Sequence, residues 1–109
     1  METAQLSKLR RDNTMARARA SDPDPQTPSG QLAWWILYHM PEDATGEDLS
    51  NALGKSRATG FNWLAGRNSP DISLWPEIAK FLSLGDDWRT LIPPDEFVRY
   101  VKRHKRLPE

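Results

Sequence analysis

Residues 45–66 read TGEDLSNALGKSRATGFNWLAG, and this segment carries the starts and ends of two helices. Thr45 is a typical N-cap, and Asp48 three residues later completes an approximate capping box. Gly54 is typical of the position just past a helix end, and Ser56 is an N-cap that follows almost at once. The pattern therefore predicts two helices joined by a short turn, the second of which ends at the glycine that closes the segment.

The spacing of apolar residues gives these two helices an inward face and an outward face. Leu49, Leu53 and Trp63 are predicted to face inward. The residues predicted to face outward, near the start of the second helix, are Arg57, Ala58, Phe61 and Asn62. In a DNA-reading helix only the N-terminal turns reach base edges in the major groove, so this outward face is the candidate contact surface.

The flanking segments also have helical spacing. A helix is predicted over residues 31–40 with Ser29 as its N-cap, another after Ser73, and a short one over residues 87–92. No segment alternates with period two over a sustained length. The fold is therefore predicted to be all-α, a compact domain of four to five helices.

The segment 95–109 is open to two interpretations. An apolar stripe of Phe97, Tyr100 and Val101 predicts a helix capped by Asp95, but the same segment is also rich in strand formers. We favour the helix, so this segment is interpreted as a basic C-terminal helix or tail.

The chain has 109 residues, enough for one small domain with a tail at each end. Residues 1–29 are predicted to form a flexible basic arm, because three prolines between Ser21 and Gly30 block both a helix and a central strand. The folded domain is predicted over residues 30–94.

The net charge is zero, with 15 basic and 15 acidic side chains, but the charges are unevenly distributed. The two ends are net basic and residues 30–94 are net acidic. Basic ends can bind a polyanion, although they can also serve solubility alone. The arm and tail residues considered as DNA contacts are Arg10, Arg11, Arg17, Arg19, Lys102, Arg103, Lys105 and Arg106.

The composition argues against several classes of function. The chain has no cysteine, which excludes a disulfide scaffold, a thiolate zinc site and a cysteine nucleophile. His39 and His104 are far apart in sequence, so we expect no catalytic site, no metal, no cofactor and no enzyme activity. No apolar run is long enough to span a membrane and no secretory signal is recognisable, so a cytoplasmic protein is expected.

The segment 45–70 resembles the Cro-type (Xre-like) helix-turn-helix family of phage and bacterial regulators. The likeness lies in Thr45, Leu49, Leu53, Gly54, Ser56, Thr59, Trp63, Gly66 and Pro70. It continues in the sequence IAKFL of the next amphipathic helix, residues 78–82, and spans roughly residues 31–92. It implies a lambda-repressor-like fold.

Two glycines depart from the family pattern. Gly46 stands where the family usually has a glutamine that helps to hold DNA phosphate, and Gly60 stands where it usually has isoleucine or valine. A glycine inside a helix costs about 1 kcal/mol relative to alanine. It also removes core volume, which Phe61 and Trp63 are expected to refill in part.

The resemblance implies a sequence-specific transcriptional regulator of phage, plasmid or bacterial type, expected to be a repressor, that binds double-stranded DNA as a homodimer. Arg57 would donate to guanine, Asn62 would pair with adenine, and Ala58 or Phe61 would contact a thymine methyl group. The residues expected to contact the DNA backbone are Thr45, Ser56, Thr59, Arg67 and Asn68. The candidate dimer contact is the C-terminal stripe of Phe97, Tyr100 and Val101.

A second class of function also fits: the same fold used as a protein-binding module, either an adaptor for a phage or host factor or an antitoxin. The acidic body, Gly46 and the aromatic residues Trp34 and Phe61 favour it. Trp35, Trp63 and Trp75 are predicted to be core residues. Trp34 and Tyr38 lie on another helical face, where they would either cover the linker or form an association surface.

Overall fold

The computed structural model describes residues 16–18 and 20–108 of the chain. Its helices are α1 (Pro28–His39), α2 (Gly46–Ala52), α3 (Arg57–Leu64), α4 (Trp75–Phe81) and α5 (Asp95–His104). Short 3-10 turns, Ile72–Leu74 and Trp88–Leu91, precede α4 and α5, and residues 16–18 and 20–21 are also helical. These residues contain no strand, which confirms the prediction of an all-α fold.

The ends of α2 and α3 follow the predicted signals. The Asp48 N–H donates to Thr45 Oγ1 at 3.2 Å and the Thr45 N–H donates to Asp48 Oδ2 at 2.8 Å, so the capping box forms in full. Gly54 and Gly66 follow the two helices with φ of 66° and 72°, a left-handed conformation that favours glycine. The four residues 53–56 join the two helices.

The start of α1 lies before the predicted one. Thr27, rather than Ser29, is the N-cap, because Thr27 Oγ1 accepts a hydrogen bond of 3.0 Å from the Gly30 N–H. Pro28 then occupies the first helical position, where its missing N–H has no consequence. Ser29 therefore lies inside the helix.

Two other helix starts also differ from their predicted caps. Asp71, rather than Ser73, begins the turn before α4, because the Asp71 carboxylate accepts a hydrogen bond of 2.9 Å from the Ser73 N–H. Pro94, rather than Asp95, is the N-cap of α5. Asp95 lies in the first turn of α5, where its negative charge is favourable to the helix dipole. The predicted short helix over 87–92 is the 3-10 turn Trp88–Leu91.

The core is centred on α1, which packs against α3, α5 and the turn Trp88–Leu91. Apolar side chains that are almost completely buried come from every helix except α3 and also from that turn: Ile36, Leu37, Met40, Leu49, Ile78, Leu91 and Val101. From α3, Trp63 and Leu64 join them with 5% and 3% exposure. The Cα radius of gyration of 13.2 Å is that of a compact domain of this length.

The described residues before α1 differ from the predicted flexible linker, because they are packed on the core. Ala18 is 1% exposed, and Pro23 and Pro25 are also buried. The Trp34 indole N–H donates to the Pro23 carbonyl at 2.9 Å. Of the two roles considered for Trp34, covering this segment is the one found, whereas Tyr38 stays 39% exposed.

The C-terminal segment forms the favoured helix, α5, and does not leave the body as a free tail. The Phe97 and Val101 side chains of α5 are buried in the core. Beyond the helix, Leu107 is 5% exposed. The packing of Leu107 therefore fixes the end of the described chain against the domain.

Candidate nucleic-acid interface

The candidate interface depends on how closely α2 and α3 approach each other. A Cβ atom built on Gly60 of α3 would lie 2.1 Å from the Gly46 carbonyl oxygen and 2.6 Å from Ser50 Oγ, closer than real Cβ atoms come to other heavy atoms. The expectation that Gly60 leaves core volume to be refilled is therefore wrong. The backbone of α2 already occupies that space, and only glycine fits there.

Ser50 links the two helices at this contact. Its side chain is fully buried, and its Oγ accepts a hydrogen bond of 2.7 Å from the Gly60 N–H. The same hydroxyl has two acceptors in reach, the Gly46 carbonyl at 3.1 Å and the Arg57 carbonyl at 3.2 Å. Ser50 thus satisfies buried backbone groups of both helices, and it fixes the direction in which α3 projects.

The glycine at position 46 is likewise explained by a close contact, here with the ring of Phe61. A Cβ on Gly46 would lie 2.8 Å from Cδ1 of the Phe61 ring, so the ring covers the start of α2. Phe61 nevertheless keeps 43% of its surface exposed. The outward face of α3 therefore has an aromatic ring near its middle.

The orientation of the α2 and α3 side chains agrees with the predicted faces. Arg57, Ala58 and Phe61 are exposed and Asn62 is half-buried. Leu49 and Trp63 are buried, and Leu53 is half-buried against the core. The four predicted base-contact residues thus lie together on the side of α3 that faces away from the core.

Two of these side chains have polar partners within the chain. Arg57 Nε lies 3.5 Å from Glu47 Oε2 in an ion pair whose side chains are 76% and 49% exposed. Arg67 Nη1 donates to Asn62 Oδ1 at 3.1 Å. Because both contacts are exposed to solvent, they stabilise the domain little and can be exchanged for a ligand.

The hydroxyl groups predicted to contact phosphate differ in their availability. Thr45 Oγ1 is used in the capping box with Asp48, so its first role is to start α2. Ser56 Oγ and Thr59 Oγ1 lie 3.0 Å apart and hydrogen-bond to each other at the start of α3. Ser56 occupies the N-cap position without bonding the helix backbone through its side chain. Asn68 is exposed just beyond the helix.

The predicted contacts in the N-terminal arm fall into two groups. Arg10, Arg11 and Arg19 lie outside the described residues. Arg17 is described, and its Nη1 donates to the carbonyls of Pro41 and Ala44 at 2.6 and 2.7 Å. The prediction of Arg17 as a flexible-arm contact is corrected, because its guanidinium holds the loop between α1 and α2.

The predicted contacts at the C-terminal end are on the surface. Lys102, Arg103, Lys105 and Arg106 are all exposed. Lys105 Nζ lies 3.2 Å from Asp22 Oδ1, so this cation joins the end of α5 to the segment before α1. Lys102 and Arg103 belong to α5, and Lys105 and Arg106 follow it directly, before the buried Leu107, so these cations do not lie on a loose tail.

The predicted dimer stripe is not an available surface. Phe97 and Val101 have 6% and 0% of their surface exposed, because they fill the core between α5 and the rest of the domain. The Phe97 ring packs edge-on against Trp35, with ring centroids 4.8 Å apart. Tyr100 is half-buried. A contact between subunits would have to use other residues.

Sequence reasoning missed two residues that shape this interface. Ser50 is a small polar residue next to the buried Leu49, and a serine between core positions of a helix is a signal for a buried hydrogen bond. Glu47 lies in the first turn of α2, where an acid is common, and only the crossing of α2 and α3 brings it to Arg57.

In the described part of the chain, no group of three or more His, Cys, Asp or Glu side chains is arranged to hold a metal ion. Over the same residues, no helix is both long enough and apolar enough to cross a lipid bilayer.

Comparison of the chain with protein-family models, with curated proteins and with solved structures found no match. The function is therefore inferred from the residues and their geometry.

Proposed function

We propose that the chain is a sequence-specific DNA-binding regulator of the helix-turn-helix type, with a lambda-repressor-like fold, in which α3 enters the major groove. The observation that supports this is the projection of α3. Its outward face exposes Arg57, Ala58 and Phe61, while the Ser50–Gly60 hydrogen bond holds its inner face on α2. A recognition helix needs such an exposed N-terminal half, held against the body of the domain on its inner side.

The chemistry of the outward face fits base recognition. The guanidinium of Arg57 can donate two parallel hydrogen bonds to guanine, which is worth about 1–3 kcal/mol of discrimination. Its exposed pair with Glu47 is worth about 1 kcal/mol or less, so little free energy is lost when Arg57 leaves Glu47 for a base. Asn62 can pair with adenine after releasing Arg67, and Ala58 and Phe61 offer apolar contacts for thymine methyl groups.

We further propose a repressor of phage, plasmid or bacterial type that acts in the cytoplasm as a homodimer on a near-palindromic operator. One recognition helix reads one half-site, so two copies are needed for two half-sites about 34–36 Å apart. The operator sequence would then show the two-fold symmetry of the dimer.

Selection from a random duplex library at low and at near-physiological salt tests the proposal. An enriched palindrome that survives the higher salt supports it, and its half-site spacing gives the dimer geometry. Arg57→Ala with Asn62→Ala should then abolish enrichment and leave the fold intact. Arg89→Ala with Asn51→Ala removes the same residue types from exposed sites elsewhere and should leave enrichment unchanged. The absence of any enriched sequence would contradict base reading.

The exposed ring of Phe61 favours a second candidate function, a protein-binding module such as an adaptor or antitoxin. An aromatic side chain at the centre of an exposed face is a common anchor in protein interfaces. In this case, regulation measured in cells should survive the Arg57→Ala and Asn62→Ala changes but be lost in Phe61→Asp. If the chain is instead a DNA-binding regulator, the Arg57→Ala and Asn62→Ala changes should abolish regulation.

A further inference from the structure

Helix α5 separates its charges along its length. Its acidic residues, Asp95 and Glu96, occupy the first turn, and its basic residues follow from Arg99 onward. Since Phe97 and Val101 fill the core, the cations are on the opposite, exposed side. Three of them have the spacing i, i+3, i+4 that places side chains on one helical face: Arg99, Lys102 and Arg103, here called the α5 basic face.

In the described part of the chain, no member of the α5 basic face forms an ion pair, although Asp95 and Glu96 lie four and three residues before Arg99 on the same helix. The ion pairs there are Arg57–Glu47, Arg89–Asp87 and Lys105–Asp22, and none involves Arg99, Lys102 or Arg103. Arg106 is exposed just beyond the helix and has no such partner either. Lys102 and Arg103 have no acidic residue three or four positions before them, so their charges are available to an anionic ligand.

The remainder of the domain offers few alternatives for binding phosphate. Residues 30–94 carry eight acidic and five basic side chains. Arg17 is committed to two backbone carbonyls, and Thr45 Oγ1 is used in the capping box. Electrostatic attraction between a protein and duplex DNA comes from cations that replace condensed counterions, and in the described residues α5 holds the densest group of them.

We propose that the α5 basic face binds the phosphate backbone of duplex DNA and supplies much of the salt-dependent affinity. The inference rests on the proposed function in taking duplex DNA as the ligand, but it does not require α3 to read sequence. With a helical rise of about 1.5 Å per residue, the face spans about 6 Å along the helix axis. That length suits contacts to neighbouring phosphates of one strand, which follow each other by about 3.4 Å of the duplex axis.

The test compares Lys102→Gln/Arg103→Gln with a matched control, Lys80→Gln/Arg89→Gln. Both variants lose two exposed positive charges, so they have the same net charge. Binding to a labelled duplex of random sequence is followed by fluorescence anisotropy from about 50 to about 200 mM salt. The slope of log affinity against log salt is negative, and each lost phosphate contact should reduce its magnitude by about 0.9. We expect a slope reduced by about 1.8 in the α5 variant and an unchanged slope in the control.

The proposal is overturned if the α5 variant keeps the wild-type slope, or if the control loses as much. It is also overturned if the duplex affinities are equal while the α5 variant alone loses binding to an acidic polypeptide such as polyglutamate. Circular dichroism checks that both variants are folded. Because the duplex has random sequence, the result is independent of operator selection. If the operator selection fails but the slope of the α5 variant is flatter than that of the wild type, only the proposal of base reading is refuted. If the selection succeeds but the slopes are equal, only the proposed role of α5 is refuted.

Discussion

The hydroxyl of Ser50 on α2 accepts a hydrogen bond of 2.7 Å from the backbone N–H of Gly60 on α3, and both residues are buried. The contact joins the two helices at a close approach of their backbones, since a Cβ on Gly60 would lie 2.1 Å from the Gly46 carbonyl oxygen. The exposed face of α3 is therefore held against α2 by a buried contact. Any recognition by Arg57 or Asn62 depends on this buried contact as well as on the exposed side chains.

Ser50→Ala should destabilise the domain by about 1–3 kcal/mol, because it leaves the buried N–H of Gly60 without its acceptor. Urea unfolding followed by circular dichroism measures the change. Ser69→Ala is a suitable control, since its hydroxyl makes an exposed contact with Ser29, and its effect should stay within about 0.5 kcal/mol. Equal effects of the two substitutions would show that the buried hydroxyl contributes nothing of its own.

Gly60→Ala should also destabilise the domain, by about 1–3 kcal/mol, because the new methyl group collides with the α2 backbone. Helix propensity alone predicts the opposite sign, a gain of about 1 kcal/mol. Gly46→Ala is the informative comparison. Its Cβ meets the exposed Phe61 ring, which can move aside, so a smaller loss is expected. A gain in stability for Gly60→Ala would refute the close approach of the two helices.

Much of this fold follows from local signals in the sequence. The Thr45–Asp48 capping box and the glycines at 54 and 66 delimit α2 and α3, because caps and left-handed residues act through neighbours in the chain. The same local chemistry also offers several choices within a few residues. Ser29 offers the same cap chemistry as Thr27 two positions later, and the sequence alone does not choose between them.

The features that the sequence did not reveal depend on contacts between distant residues. A single sequence shows that Gly60 interrupts a helix, but not that the α2 backbone lies against it. Likewise, the basic composition around Arg17 predicts a DNA-binding arm, whereas the guanidinium bonds carbonyls 24 and 27 residues further along the chain. An apolar stripe such as Phe97 and Val101 has the same sequence pattern whether it forms a dimer interface or packs in the core. Only the packing of α5 shows that these two side chains are in the core.

Trp34→Phe should loosen the segment before α1 specifically. The substitution removes the indole N–H that donates to the Pro23 carbonyl at 2.9 Å, and this contact is buried. Amide hydrogen exchange should become faster in residues 20–27. Trp75→Phe removes a similar bond to the Pro70 carbonyl, and faster exchange is expected there around residues 67–72 instead. Faster exchange of residues 20–27 in both variants would mean that global stability, and not this bond, holds the segment.

Asp71 should make a small pH-dependent contribution to stability. The hydrogen bond from the Ser73 N–H, and then that from the Ser73 side chain, lower the pKa of Asp71 below its ordinary value of 3.8. A lowered pKa in the folded state stabilises the fold above the ordinary value, and this contribution is lost as the pH falls through the folded-state pKa. The difference in unfolding free energy between wild type and Asp71→Asn should therefore shrink below about pH 4. A difference that stays constant down to about pH 2 would contradict the lowered pKa.

Glu47→Gln should strengthen operator binding while changing stability little. The ion pair between Arg57 and Glu47 is exposed and 3.5 Å long, so its loss should cost about 1 kcal/mol or less in unfolding free energy. In the DNA complex, however, the glutamate competes with guanine for the same guanidinium, and its own charge repels phosphate. Glu77→Gln on α4 is the matched control, since it removes an equally charged exposed side chain that forms no ion pair with the described part of the chain. With the selected operator as the ligand in an anisotropy titration, Glu47→Gln should tighten binding more than the control does. If both variants gain equally, net charge is sufficient to explain the effect, and Arg57 has no role that Glu47 restrains.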